Sequence, residues 1–162
     1  DIRFAHEAGV EMYACDSLLE LEKIAQNAPG AKIFARIRVG GEFSAGWPLS
    51  KKFGCTRDVA LEMMVNAKAR GLTPYGISFH VGSQQTITEP YFASISLAQA
   101  VYDDVLSEGI ELQALNLGGG FPVPYRTPVP PIEDFAEAIH ESVERHFPNK
   151  KLHLMMEPGR YM

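Results

Sequence analysis

Three stretches of this sequence carry groups fit for chemistry: His80-Val81-Gly82-Ser83, Gly118-Gly119-Gly120 and Glu157-Pro158-Gly159-Arg160. Consecutive residues without a Cβ let backbone N–H groups come close to an anion, so the glycine run reads as a phosphate cradle or, more plainly, as a tight turn. In the last stretch Pro158 stops a strand, Gly159 permits close backbone approach, and Arg160 can grip a phosphate with two parallel bonds. The plainer alternative is a strand end with a surface arginine. The His80 imidazole can stack on a flat ring and the Ser83 hydroxyl can donate to an anion; the alternative is a buried, hydrogen-bonded histidine before a turn. Together the three stretches ask for one ligand with a flat ring, a phosphate, and a ring nitrogen that wants a carboxylate. Pyridoxal phosphate (PLP) answers that description. A carboxylate at Glu157 beside the pyridine nitrogen favours the protonated ring, and a protonated ring is the electron sink that stabilises a carbanion.

These stretches lie far apart along the chain, so a scaffold must bring them together. Val10–Ala14, Ala31–Val39, Tyr75–His80, Leu112–Leu117 and Leu152–Met156 read as strands. Helices are expected between them: from the capping box Ser17-Leu18-Leu19-Glu20 to about Asn27, over Arg57–Arg70 behind Thr56, over Glu89–Glu108 behind Thr88, and over Ile132–His146. A piece of helix, Asp1–Ala8, stands in front, and Gly40–Gly54 reads as a loop. Alternating strands and helices favour an α/β fold with a parallel sheet. A whole (β/α)8 barrel takes about 250 residues, so about five βα units correspond to a partial TIM barrel; a complete doubly wound open sheet is the alternative.

Strand side chains alternate between faces. Ile33, Ala35, Ile37 and Val39 are expected to meet the helices, leaving Lys32, Phe34, Arg36 and Arg38 inside. Tyr75, Ile77 and Phe79 face the helices, with Gly76, Ser78 and His80 inside, and Leu152, Leu154 and Met156 alternate with His153, Met155 and Glu157. Arg36, His80 and Glu157 thus share the less apolar face, late in their strands, where parallel α/β folds bind ligands. An internal Arg36–Glu157 ion pair with a satisfied core histidine is the non-functional alternative.

The composition agrees with a folded domain, expected to occupy residues 1–162 as one unit. Of 162 residues, 46% are hydrophobic and 22% charged, which is ordinary for a soluble globular domain. No apolar run approaches the ~20 residues of a membrane span. There is no basic, apolar leader, so a cytoplasmic protein is expected. A net charge of −5 without a Lys/Arg stripe argues against nucleic acid as a partner. Cys15 and Cys55 lack metal-type spacing and point to a reducing compartment. The chain opens at Asp1 and stops at Met162 just after a distinctive motif; both ends read as cut.

The same motifs, with Asp16-Ser17, Glu20-Leu21 and Pro48-Leu49-Ser50-Lys51-Lys52-Phe53-Gly54, resemble the fold-type III, PLP-dependent decarboxylases of basic amino acids along nearly the whole chain. The short segment before Lys52-Phe53-Gly54 and the Phe121 after the glycines resemble the ornithine type more than the diaminopimelate type. The resemblance implies an alanine racemase-like PLP-binding barrel whose N-terminal strands and C-terminal β-domain are missing here. It implies that His80 stacks on the PLP ring, that Ser83, Gly120, Gly159 and Arg160 hold the phosphate with Gly119 beside them, that Glu157 pairs with the pyridine nitrogen, and that Arg36 lies near both. It implies a small-molecule amino-acid substrate, with L-ornithine giving putrescine for polyamine synthesis, and a homodimer using Lys52 in its contact. Lysine or diaminopimelate decarboxylation, or a non-catalytic antizyme-inhibitor-like binding role, are the alternatives. Lys23, Lys32, Lys51, Lys68, Lys150 and Lys151 match nothing like the family's Schiff-base lysine, and Cys15 and Cys55 read as ordinary small residues. The isolated 162 residues are therefore expected to have little or no activity.

Overall fold

The computed structural model describes residues 1–40, 44–49 and 52–162. Residues 50 and 51, in the middle of the Pro48–Gly54 motif, and residues 41–43 lie outside the described residues, as does the reading of Lys51. The parallel sheet consists of β1 (Met12–Cys15), β2 (Lys32–Arg36), β4 (Thr73–Ser78), β6 (Ala114–Asn116) and β7 (His153–Met155). Helices α1 (Ile2–Glu7), α2 (Leu18–Asn27), α3 (Arg57–Ala69), α4 (Glu89–Ser107) and α5 (Ile132–His146) alternate with them.

Spatial order separates the two architectures that periodicity left open. The strands run β1-β2-β4-β6-β7, each new strand added beside the last, all parallel. A doubly wound sheet reverses its strand order at a switch point. Uniform addition with crossovers of one hand keeps the helices on one face, which is how a (β/α)8 barrel is built. This is a partial TIM barrel.

The outward-facing residues form the core. Ile33 and Ala35 are fully buried, and Ile37 nearly so, against Leu21 and Ile24 of α2 and Ala60, Met63, Met64 and Ala67 of α3. Helix α4 adds Tyr91, Ile95, Ala98, Val101, Tyr102 and Val105. Burying a large apolar side chain contributes about 1.5–3 kcal/mol, so this face fixes the sheet and, through it, the strand ends.

Several expectations need correction. Strands end earlier than their apolar patterns suggest: His80 and Glu157 lie beyond β4 and β7, in the connecting loops rather than in the ladder. Backbone bonds nevertheless continue past the strand ends: Phe79 donates its N–H to Asn116 O at 3.1 Å and Glu157 donates its N–H to Gly118 O at 2.8 Å. Tyr75 was expected among the helix-facing residues, yet its ring packs edge-on against Phe34, 5.5 Å between centroids, beneath the Lys32 ammonium. The β2–β4 register jumps between Ile33/Pro74 and Phe34/Gly76, and this bulge breaks the alternation at Tyr75. The Gly40–Gly54 loop contains β3 (Ala45–Trp47), paired antiparallel with β5 (Ser83–Gln85). Ser17 caps α2 as expected, its Oγ accepting from Glu20 N–H at 3.2 Å, but Thr56 and Thr88 make no side-chain cap bond.

Candidate functional site at the barrel mouth

Arg36 closes β2, Ser78 closes β4, Asn116 closes β6, and His80 and Glu157 follow β4 and β7. All five line one small cleft. Three residues singled out by parity therefore meet in space, and they do so at the carboxyl ends of the strands. A larger apolar groove lies elsewhere, between α5 and the residues from β7 onward, and does not include them.

Hydrogen bonds set the orientation of these groups. Asn116 accepts from Gly118 N–H at 2.9 Å through Oδ1 and donates through Nδ2 to Glu157 Oε1 at 3.0 Å. One carboxylate oxygen of Glu157 is thus held by an amide that is itself locked to the glycine bend. No Arg36–Glu157 salt bridge forms among the described residues, so the purely structural ion pair is not what holds the cleft. Arg36 instead lies over the Phe53 ring, 4.8 Å from its centroid.

Gly82 N–H donates to His80 Nδ1 at 3.0 Å, which places the proton of the neutral imidazole on Nε2. Burial lowers the His80 pKa below its ordinary 6.5, the Arg36 cation lowers it further, and Glu157 opposes them. The cleft therefore presents a flat, neutral ring near neutral pH. The unfolded chain takes up a proton below about pH 6.5 while folded His80 resists it. The stability this site contributes is present above that pH and is lost as the pH falls through the lowered folded value. Denaturant midpoints should decline from about pH 7.5 to pH 5, and His80→Asn should remove this portion of the slope. An unchanged slope in the variant would refute the assignment.

The three glycines are required mainly by their own protein. A Cβ on Gly118 would stand 2.1 Å from Phe79 O, on Gly119 2.2 Å from Glu157 O, and on Gly120 2.4 Å from Gly82 O. The bend is therefore the joint where the loops after β4, β6 and β7 touch backbone to backbone, and it brings Ser83 beside Gly120. From below, buried Tyr91 donates its hydroxyl to Gly119 O at 3.1 Å and stacks on Phe121. Among the described residues the amides of Gly119, Gly120, Gly159 and Arg160 donate to no protein acceptor. The Arg160 side chain is exposed and donates to the Tyr125 hydroxyl at 3.1 Å, outside the cleft.

Two cleft residues had no role assigned from sequence. Ser78 was placed on the inner face without a function; its Oγ is buried without a hydrogen-bond partner among the described residues. Asn116 closes an apolar strand two residues before the three glycines, and a polar residue in that place is a readable signal. The two cysteines behave as read: both are buried free thiols, burial pushing Cys15 up to about 12 and Cys55 to about 11.

These groups fit PLP. A flat neutral ring, a carboxylate with one oxygen pinned, an orphaned buried hydroxyl and a set of free amides match an aromatic nitrogen heterocycle bearing an anion. No group of three or more His, Cys, Asp or Glu placed to hold a metal occurs among the described residues.

Comparison with known proteins agrees. The lysine/ornithine decarboxylase of Selenomonas ruminantium is 35% identical over 162 residues, covering 99% of this chain and 40% of that protein. The ornithine decarboxylase of Mus musculus is 34% identical over 161 residues, covering 99% of this chain and 34% of that protein. Among solved structures, a mutant of SrLDC in complex with PLP superposes with a TM-score of 0.92 at 34% identity, covering 99% of this chain and 41% of that one. The chain thus spans well under half the length of the relatives it matches. The family model described as "Pyridoxal-dependent decarboxylase, pyridoxal binding domain" matches residues 1–162, and the chain belongs to that family.

Proposed function

We propose that the protein carrying this domain decarboxylates a basic amino acid, with L-ornithine as substrate and putrescine as product. The observation that carries the reading is the meeting of Arg36, His80, Asn116 and Glu157 in one cleft beside the glycine bend. The relatives named for ornithine support the choice of substrate, as do the short segment before Phe53 and the Phe121 after the glycines.

Bound in the cleft, PLP supplies an electron sink for the pair left behind when a carboxylate departs as CO2. The residues of this chain prepare that chemistry. Glu157, fixed by Asn116, would hold the proton on the ring nitrogen. His80, kept neutral, would stack on the ring without adding a competing charge. The amides of Gly119, Gly120, Gly159 and Arg160, with the Ser83 hydroxyl, would hold the phosphate. No lysine lines the cleft among the described residues; the groups present would hold the cofactor by charge, stacking and amide bonds.

The resemblance extends the reading to a cytoplasmic homodimer; exposed Lys52 beside Phe53 and the two free thiols are in keeping with it. No helix among the described residues is long and apolar enough to cross a membrane. Visible-absorbance titration of the full-length protein with PLP, followed by trapping of CO2 from ornithine, lysine and arginine, tests the proposal. Saturable PLP binding with CO2 released fastest from ornithine is expected. Binding without CO2 from any of the three would favour a non-catalytic binding protein, and absence of PLP binding would overturn the reading outright.

A further inference from the structure

Arg36 is a cation in a cleft with a carboxylate, and it pairs with no carboxylate. An arginine that lines the same cleft as Glu157 is attracted toward it, as opposite charges are. Such a pair would occupy the oxygen that a ring nitrogen needs. What Arg36 has instead is the face of Phe53 at 4.8 Å, a separation at which the guanidinium is attracted to the ring's negative face.

Phe53 is held in place by its neighbours rather than by the core, since the residue is 45% exposed. Gly54 is fastened at both ends of its peptide groups. Its N–H donates to Asp16 Oδ2 at 2.7 Å, and its carbonyl accepts from Arg38 Nε at 3.2 Å and Nη2 at 3.0 Å. Cys55 N–H then donates to Arg36 O at 2.9 Å, and Arg38 N–H to Cys55 O at 2.8 Å. Gly54 sits at φ +91, and a Cβ there would meet the Arg38 Cα at 2.7 Å, so the strap lies directly on the end of β2. The backbone of Arg36 and the ring that its side chain rests on are thereby tied to one another.

We propose that Phe53 is a positioning residue: clamped through Gly54 to Asp16 and Arg38, its ring holds the Arg36 guanidinium in the cleft and away from Glu157. The claim rests on the PLP reading only for its consequence. With Arg36 kept apart, the cleft offers a free cation toward an anionic ligand and a free carboxylate oxygen toward a ring nitrogen.

The test is a double-mutant cycle in the protein, read as the PLP dissociation constant by fluorescence, with the Arg36 side-chain N–H followed by NMR in the absence of PLP. Phe53→Leu keeps an apolar residue and removes the ring face; it should weaken PLP binding about threefold. Phe53→Tyr keeps the face and should bind within about twofold of the unsubstituted protein. In an Arg36→Gln background Phe53→Leu should change nothing, because its effect passes through Arg36. The Arg36 Nε–H resonance should be ring-current shifted in the unsubstituted protein and in Phe53→Tyr, and lose that shift in Phe53→Leu. An equal loss of binding in the Arg36→Gln background, no loss in Phe53→Leu, or an unshifted Arg36 resonance in the unsubstituted protein would each overturn the inference. A shifted resonance in a protein that binds no PLP would uphold the positioning and defeat the proposed function instead.

Discussion

Replacing Gly119 by alanine is expected to cost about 3 kcal/mol or more and to lower the melting midpoint by roughly 10 °C. The added Cβ would stand 2.2 Å from Glu157 O, and backbone cannot swing aside as a flexible side chain can. Relief requires the loop after β6 to part from the loop after β7. That movement would strain the Asn116–Glu157 bond at 3.0 Å and the Tyr91 hydroxyl bond to Gly119 O at 3.1 Å, so PLP binding should fall with stability. Gly109→Ala supplies the contrast. Gly109 ends α4 at φ +70 with nothing within 4 Å of its would-be Cβ, so only backbone strain of about 1 kcal/mol is at stake. Thermal unfolding of both variants, with a PLP titration of each, checks the pair. A Gly119→Ala protein as stable as Gly109→Ala would show that the loops part easily and that the bend is no joint.

That result bears on how the glycines were read. From sequence they were residues that let amides approach an anion. The structure keeps the free amides at Gly119 and Gly120 but adds a prior requirement, that three loop backbones touch without side chains between them. Loop-to-loop contact is a property of the closed barrel and leaves no periodic mark on the chain. Most of the parallel sheet and its helices were legible because regular faces are buried, as with Ile33 and Ala35 on β2 and Ile37 just beyond it, and Ala60, Met63, Met64 and Ala67 on α3. Strands β3 and β5 were not, because they pair only once the barrel has brought the loops together. The Tyr75 error has the same origin, since a bulge is a relation between two strands.

Within the site, Arg36, His80 and Glu157 were legible because polar residues late in apolar strands must face somewhere other than the core. Their partners were not. The Asn116 bridge and the Phe53 ring become visible only when distances are known, since neither residue type is unusual where it stands. The sequence resemblance marked the segment Pro48–Gly54 without supplying a reason for Phe53; the contact with Arg36 supplies one.

In the full-length protein, Glu157→Gln should leave the cleft's shape almost intact and lower kcat by about 10²-fold. Glutamine preserves the volume and an oxygen that can still accept from Asn116 Nδ2, so the 3.0 Å bond survives and with it the link to Gly118 N–H. What disappears is the negative charge. Without it a pyridine nitrogen in the cleft is less readily protonated, and the Arg36 cation nearby then disfavours that proton further. The electron sink is thereby weakened in the step that needs it, while contacts to the phosphate are untouched, so PLP affinity should stay within about fivefold of the unsubstituted protein. Removal of the Glu157 charge also deletes the one neighbour that raises the His80 pKa, which should therefore drop further below its ordinary value, an effect visible by NMR without any substrate. Steady-state decarboxylation, PLP titration and the His80 titration together decide the point. If kcat stays unchanged while His80 shifts as expected, the carboxylate faces the histidine but not the ring nitrogen, and the role given to Glu157 fails on its own, leaving the stacking and phosphate contacts to be judged separately.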